Sequence, residues 1–425
     1  MHKIKYIYLV ISVFVSFASI SQISTNSPYS RFGLGSLSGS VSPQQSALGG
    51  ASVVYFNSNS INSENPATYS SFQPKSFLLS TALSSSSHRF TTYDKSQRES
   101  STSFSHLAIG FPLTQYISVS SGLLPYSSVG YHLDYDSLYS GLEDTVSISS
   151  TGNGGLSKYY LGTSLKLHKT LFFGVNANYL FGGLSKNKTA DFNNTTIFNV
   201  SSVDRTNVTG LVYEAGLLFN TEISENKYIA IAVTYQNNSN LNAKRTLLGT
   251  TYEFGNSLII KDTFQNVLQD ASIIIPSKLS AGFSYSSEKL LLLANYSTQN
   301  WSEYQLSVDG IVGEEDNLEN SVCFSGGLQY TPDYNAHNKY WKKIQYRIGG
   351  RYHKTYLSLR DNQLTEKSLT MGVGMPVKRT NTFYNFSMEF GEQGTTESNL
   401  IKEQFLRFTF GVTFKGIWFV KRKYD

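Results

Sequence analysis

The stretch LFFGVNANYLFG, residues 171–182, is the one from which the rest of the chain is read. Phe173, Val175, Ala177, Tyr179 and Phe181 fall on one side of an extended strand, and Gly174, Asn176, Asn178 and Gly182 on the other, because successive side chains point to opposite faces. One face is apolar; the other is polar or small. The same dyad recurs at Leu211-Tyr213-Ala215-Leu217-Phe219, Ile229-Ile231-Val233-Tyr235 and Ile344-Tyr346-Ile348, and closes at Leu406-Phe408-Phe410-Val412-Phe414. Outward from residue 171, about fourteen such segments are found, near 77–84, 104–111, 116–124, 159–167, 171–181, 208–219, 228–236, 278–285, 290–297, 322–330, 344–352, 369–375, 384–391 and 405–415. Segments of this length suit tilted membrane strands of about 9–11 residues, and an even count suits a closed antiparallel barrel. The expected fold class is all-β, a transmembrane antiparallel β-barrel of about 14 strands with an N-terminal hatch in the lumen.

The connections support this. Those at 112–115, 168–170, 221–227, 286–289 and 376–382 are short; those at 85–103, 126–158, 183–207, 236–277 and 297–321 are long, and the two kinds alternate. Membrane barrels have short periplasmic turns and long outer loops. The segment 331–343 is long for a turn, and Thr251–Ile260 reads as a strand, either in an outer hairpin or as an extra member of the barrel.

Composition narrows the function. Aromatic residues make up 14% of the chain and charged residues 15%, whereas soluble proteins carry about a quarter charged residues. The net charge of +5 is spread thinly, with one basic cluster at Lys421 to Lys423, so no nucleic-acid partner is expected. One cysteine, Cys323, excludes an intrachain disulfide. Residues 1–21 read as a secretory signal peptide: a short basic start, an apolar stretch from Ile7 to Ile20, and small residues before Gln22. Residues 22–74 read as the hatch and 75–425 as the barrel, and export points to the outer membrane with lipid as its surroundings. Gly33-Leu34-Gly35 lacks the third glycine and the flanking elements of a dinucleotide site and reads as a turn.

Within the hatch, Ala47, Gly49, Gly50 and Ala51 are small, Val53, Val54, Tyr55 and Phe56 form an apolar run, and Asn65-Pro66-Ala67 makes a corner in which Pro66 keeps Asn65 extended. The segment Ala47-Leu48-Gly49-Gly50-Ala51 followed by Asn65-Pro66-Ala67 resembles the N-terminal signature of the FadL-like family of outer-membrane proteins. The closing Glu403 to Gly411, with Trp418 to Asp425, resembles the final strand of Bacteroidota members, although a basic tail follows Phe419. The resemblance implies a fourteen-stranded barrel with a lumenal hatch. It also implies passive uptake of hydrophobic small molecules such as long-chain fatty acids through a hatch and ligand path at Gly49, Gly50, Val53, Val54, Tyr55, Phe56, Asn65, Pro66 and Ala67. The alternative it carries is a non-enzymatic partner or scaffold subunit of a Bacteroidota type IX protein-secretion translocon, with another membrane protein as partner.

No catalytic residues, cofactor or metal are expected. The seven histidines are scattered, and His132 with Asp134 and Asp136 reads as a polar loop edge. Glu314, Glu315, Asp316 and Glu319 read as a solvated acidic loop without calcium-loop spacing. Gln345, Arg347, Arg351 and His353 share a strand face, and an Arg facing lipid at the midplane costs roughly 2–4 kcal/mol, so this face must be lumenal. Arg347 and Arg351, with Glu389 and Arg407, are therefore expected to form a polar network in the lumen or to anchor a ligand carboxylate.

Overall fold

The computed structural model describes residues 25–417 apart from 40–41, 139–144, 193–196, 255–257, 314–317, 337–338 and 379. Fourteen strands form a closed antiparallel barrel. They are β1 (Ser76–Thr91), β2 (Ser96–Pro112), β3 (Ile117–Leu138), β4 (Thr145–Lys166), β5 (Leu171–Phe192), β6 (Asn199–Ser224) and β7 (Lys227–Gln236), followed by β8 (Lys278–Ser286), β9 (Leu290–Gln299), β10 (Ser321–Tyr330), β11 (Gln345–Leu359), β12 (Asn362–Pro376), β13 (Phe383–Gln393) and β14 (Lys402–Ile417). β14 pairs with β1 from Lys402–Thr91 to Ile417–Ser76 and closes the ring. Lipid offers no hydrogen-bond partner, and closure leaves the spanning backbone paired within the sheet.

The alternation sorts the side chains as the dyad demands. Phe173, Tyr179 and Phe181 face outward, while Asn176 and Asn178 of the same strand are buried inside. Leu217, Phe219, Ile231, Val233, Phe386, Phe408, Phe410 and Phe414 continue the outward apolar belt.

Two features differ from the expectation. Much of the sequence expected as long loops is strand: β1 and β2 pair as far as Thr91–Ser96, and β3 and β4 as far as Leu138–Thr145. Beyond the lipid a strand needs no apolar face, so Ser- and Thr-rich segments keep the backbone ladder without the apolar/polar signature. The second concerns 251–260. These residues belong to a hairpin of Ser239–Phe254 and Leu258–Ile275 that adds no barrel strand, because Gln236 of β7 pairs directly with Lys278 of β8 beneath it. The upper half of β6, from Asn199 to Thr209, pairs with the hairpin, and its lower half from Glu214 pairs with β7.

The described residues between 25 and 75 run through the lumen before β1 begins. Tyr29 lies at the end of long hairpins, where its hydroxyl donates to Ile401 O at 2.5 Å and accepts from Ile401 N at 3.1 Å. Asn59 lies at the end of short turns, held by the Lys415 ammonium at 2.8 Å. Each end is closed by packing. Tyr29 and Leu34 join Trp301, Tyr304, Tyr356 and inward residues of β3 to β6 in one core, and Leu48 to Tyr55 join Phe172, Leu218 and Leu293 in another. The expected signal peptide, the tail from Trp418, and Glu314 to Asp316 lie outside the described residues.

Candidate functional site

The site is built where the lumenal segment meets the wall. Gly49 has φ +71°, a left-handed conformation that glycine adopts freely, and a Cβ there would run into the carbonyls of Gly326 and Gly350. This close approach lets the Gly49 N–H donate to Thr370 Oγ1 at 2.9 Å, while the Thr370 hydroxyl donates to Ala47 O at 3.1 Å. Lower down, the Asn65 side chain caps a short 3-10 turn, accepting from Ala67 N–H at 3.0 Å and donating to Val53 O at 2.6 Å. Pro66 seats against Gly174 of β5, where a side chain would leave no room. Val53, Val54 and Tyr55 are buried in the lower core, and the Phe56 ring meets Phe172 at 5.1 Å. With its amide oriented to satisfy all its neighbours, Asn295 of β9 accepts from Ser52 N–H at 2.7 Å and Val53 N–H at 2.8 Å. The expected hatch residues are thus brought together, with their apolar side chains against the wall.

The lumen polar residues divide. Arg351 binds Glu366 at 2.5 Å and Glu389 at 2.6 Å, and Arg407 binds Glu389 at 2.8 Å, so one ion-paired chain crosses β11 to β14. Arg347 stands apart among amides, donating to Gln329 at 2.8 Å, Asn385 at 3.1 Å and Gln345. A second ion pair, His88 with Glu403 at 2.6 Å, also receives the Ser27 hydroxyl at 2.6 Å. Sequence reading missed Glu366, because the β12 segment was expected to begin at residue 369. The alternation of that strand extended upward, with Glu366 opposite His353, was the available signal. It also missed His88 and Glu403, which are 315 residues apart. At the rim, burial raises the pKa of the Tyr29 hydroxyl and keeps it a donor to Ile401.

Between the upper and lower packing lies a chamber of about 290 Å³, bounded by Gly50, Glu64, Lys278, Trp301, Arg351 and Glu403 among others. Its wall is about equally polar and apolar, with Val53, Trp301 and Phe405 beside Ser280, Gln299 and Arg351. His132, whose Nε2 lies 3.1 Å from the accepting Asp134 carboxylate, is exposed on the outer hairpin away from it. Among the described residues no group of three His, Cys, Asp or Glu is placed to hold a metal.

Among the described residues the wall has one weak seam. β2 and β3 pair only from Leu107–Leu123 to Pro112–Ser118, six residue pairs, whereas β3 and β4 pair along nearly their full length. Two local causes coincide. Ser105 is skipped in the β1–β2 register, a bulge that bends β2, and Pro125 in β3 has no N–H to offer a neighbour. Above the parting point the edge of β3 is met from within the lumen: Ser36 and Leu37 pair with Ser128 and Ser127, and Ser38 N–H donates to Tyr126 O at 2.9 Å.

A closed fourteen-stranded barrel with an apolar outer belt and a segment inside its lumen shares its fold with FadL-like outer-membrane barrels. A sequence model of the BamG family matches residues 3–425, and the chain belongs to that family. Among solved structures it is similar to the Pseudomonas putida toluene transporter TodX, at 15% identity and TM-score 0.59 over 89% of this chain and 98% of that one. It is similar to the Ralstonia pickettii toluene transporter TbuX, at 14% and 0.58 over 89% and 98%. It is also similar to a Pseudomonas aeruginosa FadL homologue, at 11% and 0.57 over 90% and 99%. At these identities the likeness is one of fold. No curated protein sequence matches the chain.

Proposed function

We propose that the protein is a passive channel of the outer membrane for hydrophobic small molecules, which move between lumen and lipid sideways through the seam of β2 and β3. The seam carries the reading: it is the place where the wall's hydrogen-bonded ladder stops short, which opens a way for an apolar guest to reach lipid sideways. The titles of the similar TodX and TbuX structures, toluene transporters, support the class of cargo. Long-chain fatty acids belong to the same class. The hatch stays in place as a fixed plug in this route, since its apolar run is already packed against the wall.

A test uses Phe104→Cys with Tyr126→Cys in a Cys323→Ser background. These two positions would face each other if the β2–β3 register continued upward. Bridging them with a bifunctional thiol reagent is expected to cut toluene uptake at least about tenfold, with recovery on reduction, since a blocked seam leaves only the packed lumen. Uptake that ignores the bridge sinks the lateral route.

A second reading, a partner or scaffold subunit of a membrane complex such as a type IX translocon, is favoured by one observation. Among the described residues the strand Leu258–Ile275 pairs with a second neighbour only at Ala271–Ile274, which leaves much of its other edge without a strand partner there, and Ile259, Ile260, Phe264 and Leu268 on it are exposed. Open edges are templates for another chain.

A further inference from the structure

A row of polar side chains crosses the outer wall above the apolar belt. Strand register sets Arg98 of β2, Arg89 of β1, Gln404 of β14, Glu392 of β13 and Lys367 of β12 side by side at one height, toward the long hairpins and so on the outer side of a membrane barrel. Two residues below, Leu369 and Phe390 are exposed to lipid. The row therefore stands where the apolar layer gives way to head groups. Its positive charge is in excess. Arg89, Arg98 and Lys367 are exposed, and the one carboxylate of the row, Glu392, is held by Lys402 at 2.9 Å. Among the described residues Arg89 and Arg98 make no ion pair, yet they stand directly opposite each other, and like charges so placed repel.

The second observation lies on the same strands. Four residues below Arg89, Arg98 and Lys367, about 13 Å along each strand, are Ser85, Thr102 and Met371, and these line an outward-facing groove of about 650 Å³ with Phe386, Phe408 and Phe410. Its surface is almost wholly apolar.

We propose that this sector binds an anionic lipid of the outer leaflet, its phosphate oxygens accepting from Arg89, Arg98 and Lys367 and an acyl chain lying in the groove beneath. A guanidinium gives a phosphate paired, charge-assisted bonds, and an anion between Arg89 and Arg98 removes their repulsion. The site faces lipid, apart from the lumen and hatch. It rests on the outer-membrane placement of the channel reading but not on its lateral route.

Native mass spectrometry of the full chain in detergent tests this with lipid A, zwitterionic phosphatidylethanolamine and inorganic phosphate. Lipid A is expected to bind saturably and more tightly than phosphatidylethanolamine, and millimolar inorganic phosphate, which has no chain for the groove, is expected not to displace it. Arg89→Gln with Arg98→Gln and Lys367→Gln should weaken lipid A binding at least about tenfold while heat-modifiable migration holds. Ser85→Phe fills the groove and should weaken it severalfold with the basic row intact. Equal binding of the two lipids, displacement by inorganic phosphate, or unchanged affinity in either variant overturns the proposal. None of these outcomes touches the lateral route, which the cross-link reads separately through uptake.

Discussion

Gly49 shows how one residue fixes the hatch against the barrel. Its positive φ and the two carbonyls that crowd it leave no space for a side chain, so Gly49→Val should destabilise the protein by about 3 kcal/mol, seen as a lower unfolding temperature in detergent. A variant that melts with the parent would show that the Gly49–Thr370 contact contributes little. Much at this scale was legible: the small residues and the Asn65-Pro66 corner announce tight packing. The ion-paired chain was only half legible. Arg351, Glu389 and Arg407 betray themselves as charges on strand faces, but the partners of His88 and Ser27 come from the far end of the sequence, and nothing local marks them.

At the scale of elements, alternation revealed all fourteen strands because every spanning strand must show lipid one face and the lumen the other. It failed where that constraint ends. Above the lipid the strands carry Ser and Thr on both faces, and the ladder of backbone bonds, invisible in the sequence, sets their length. The seam was equally hidden: a bulge and one proline shorten a ladder that periodicity alone reads as complete. The hatch is a separable element. Deleting residues 45–67 leaves the wall's ladder intact, so a heat-modifiable barrel is expected to persist while single-channel conductance in a planar bilayer rises severalfold as the lower packing is lost. If no folded barrel forms, the hatch is part of the wall's own stability rather than an occupant.

For the whole molecule, the hairpin of Ser239–Phe254 and Leu258–Ile275 is the part most separable from transport. Gln236 and Lys278 already face each other in register, so a two-residue Asn-Gly turn in place of residues 238–276 should leave the barrel folded. Under the second reading, proteins that copurify from native membranes with the full chain are expected to be lost from the shortened one, as measured by mass spectrometry. Retention of the same proteins would remove the open edge as a docking site.

The last strand, β14, is also the one that touches the lumenal segment at three heights, through Glu403 to Ser27, Thr413 to Gln44 and Lys415 to Asn59. Closing the ring and inserting the plug are therefore coupled events. The strand synthesised last seals against the strand synthesised first, around a segment that precedes both, and it meets its side-chain partners only if that segment already lies inside. Closure becomes a checkpoint on threading: a plug left outside deprives the final strand of three polar partners, so a correctly filled barrel seals more stably than an empty one.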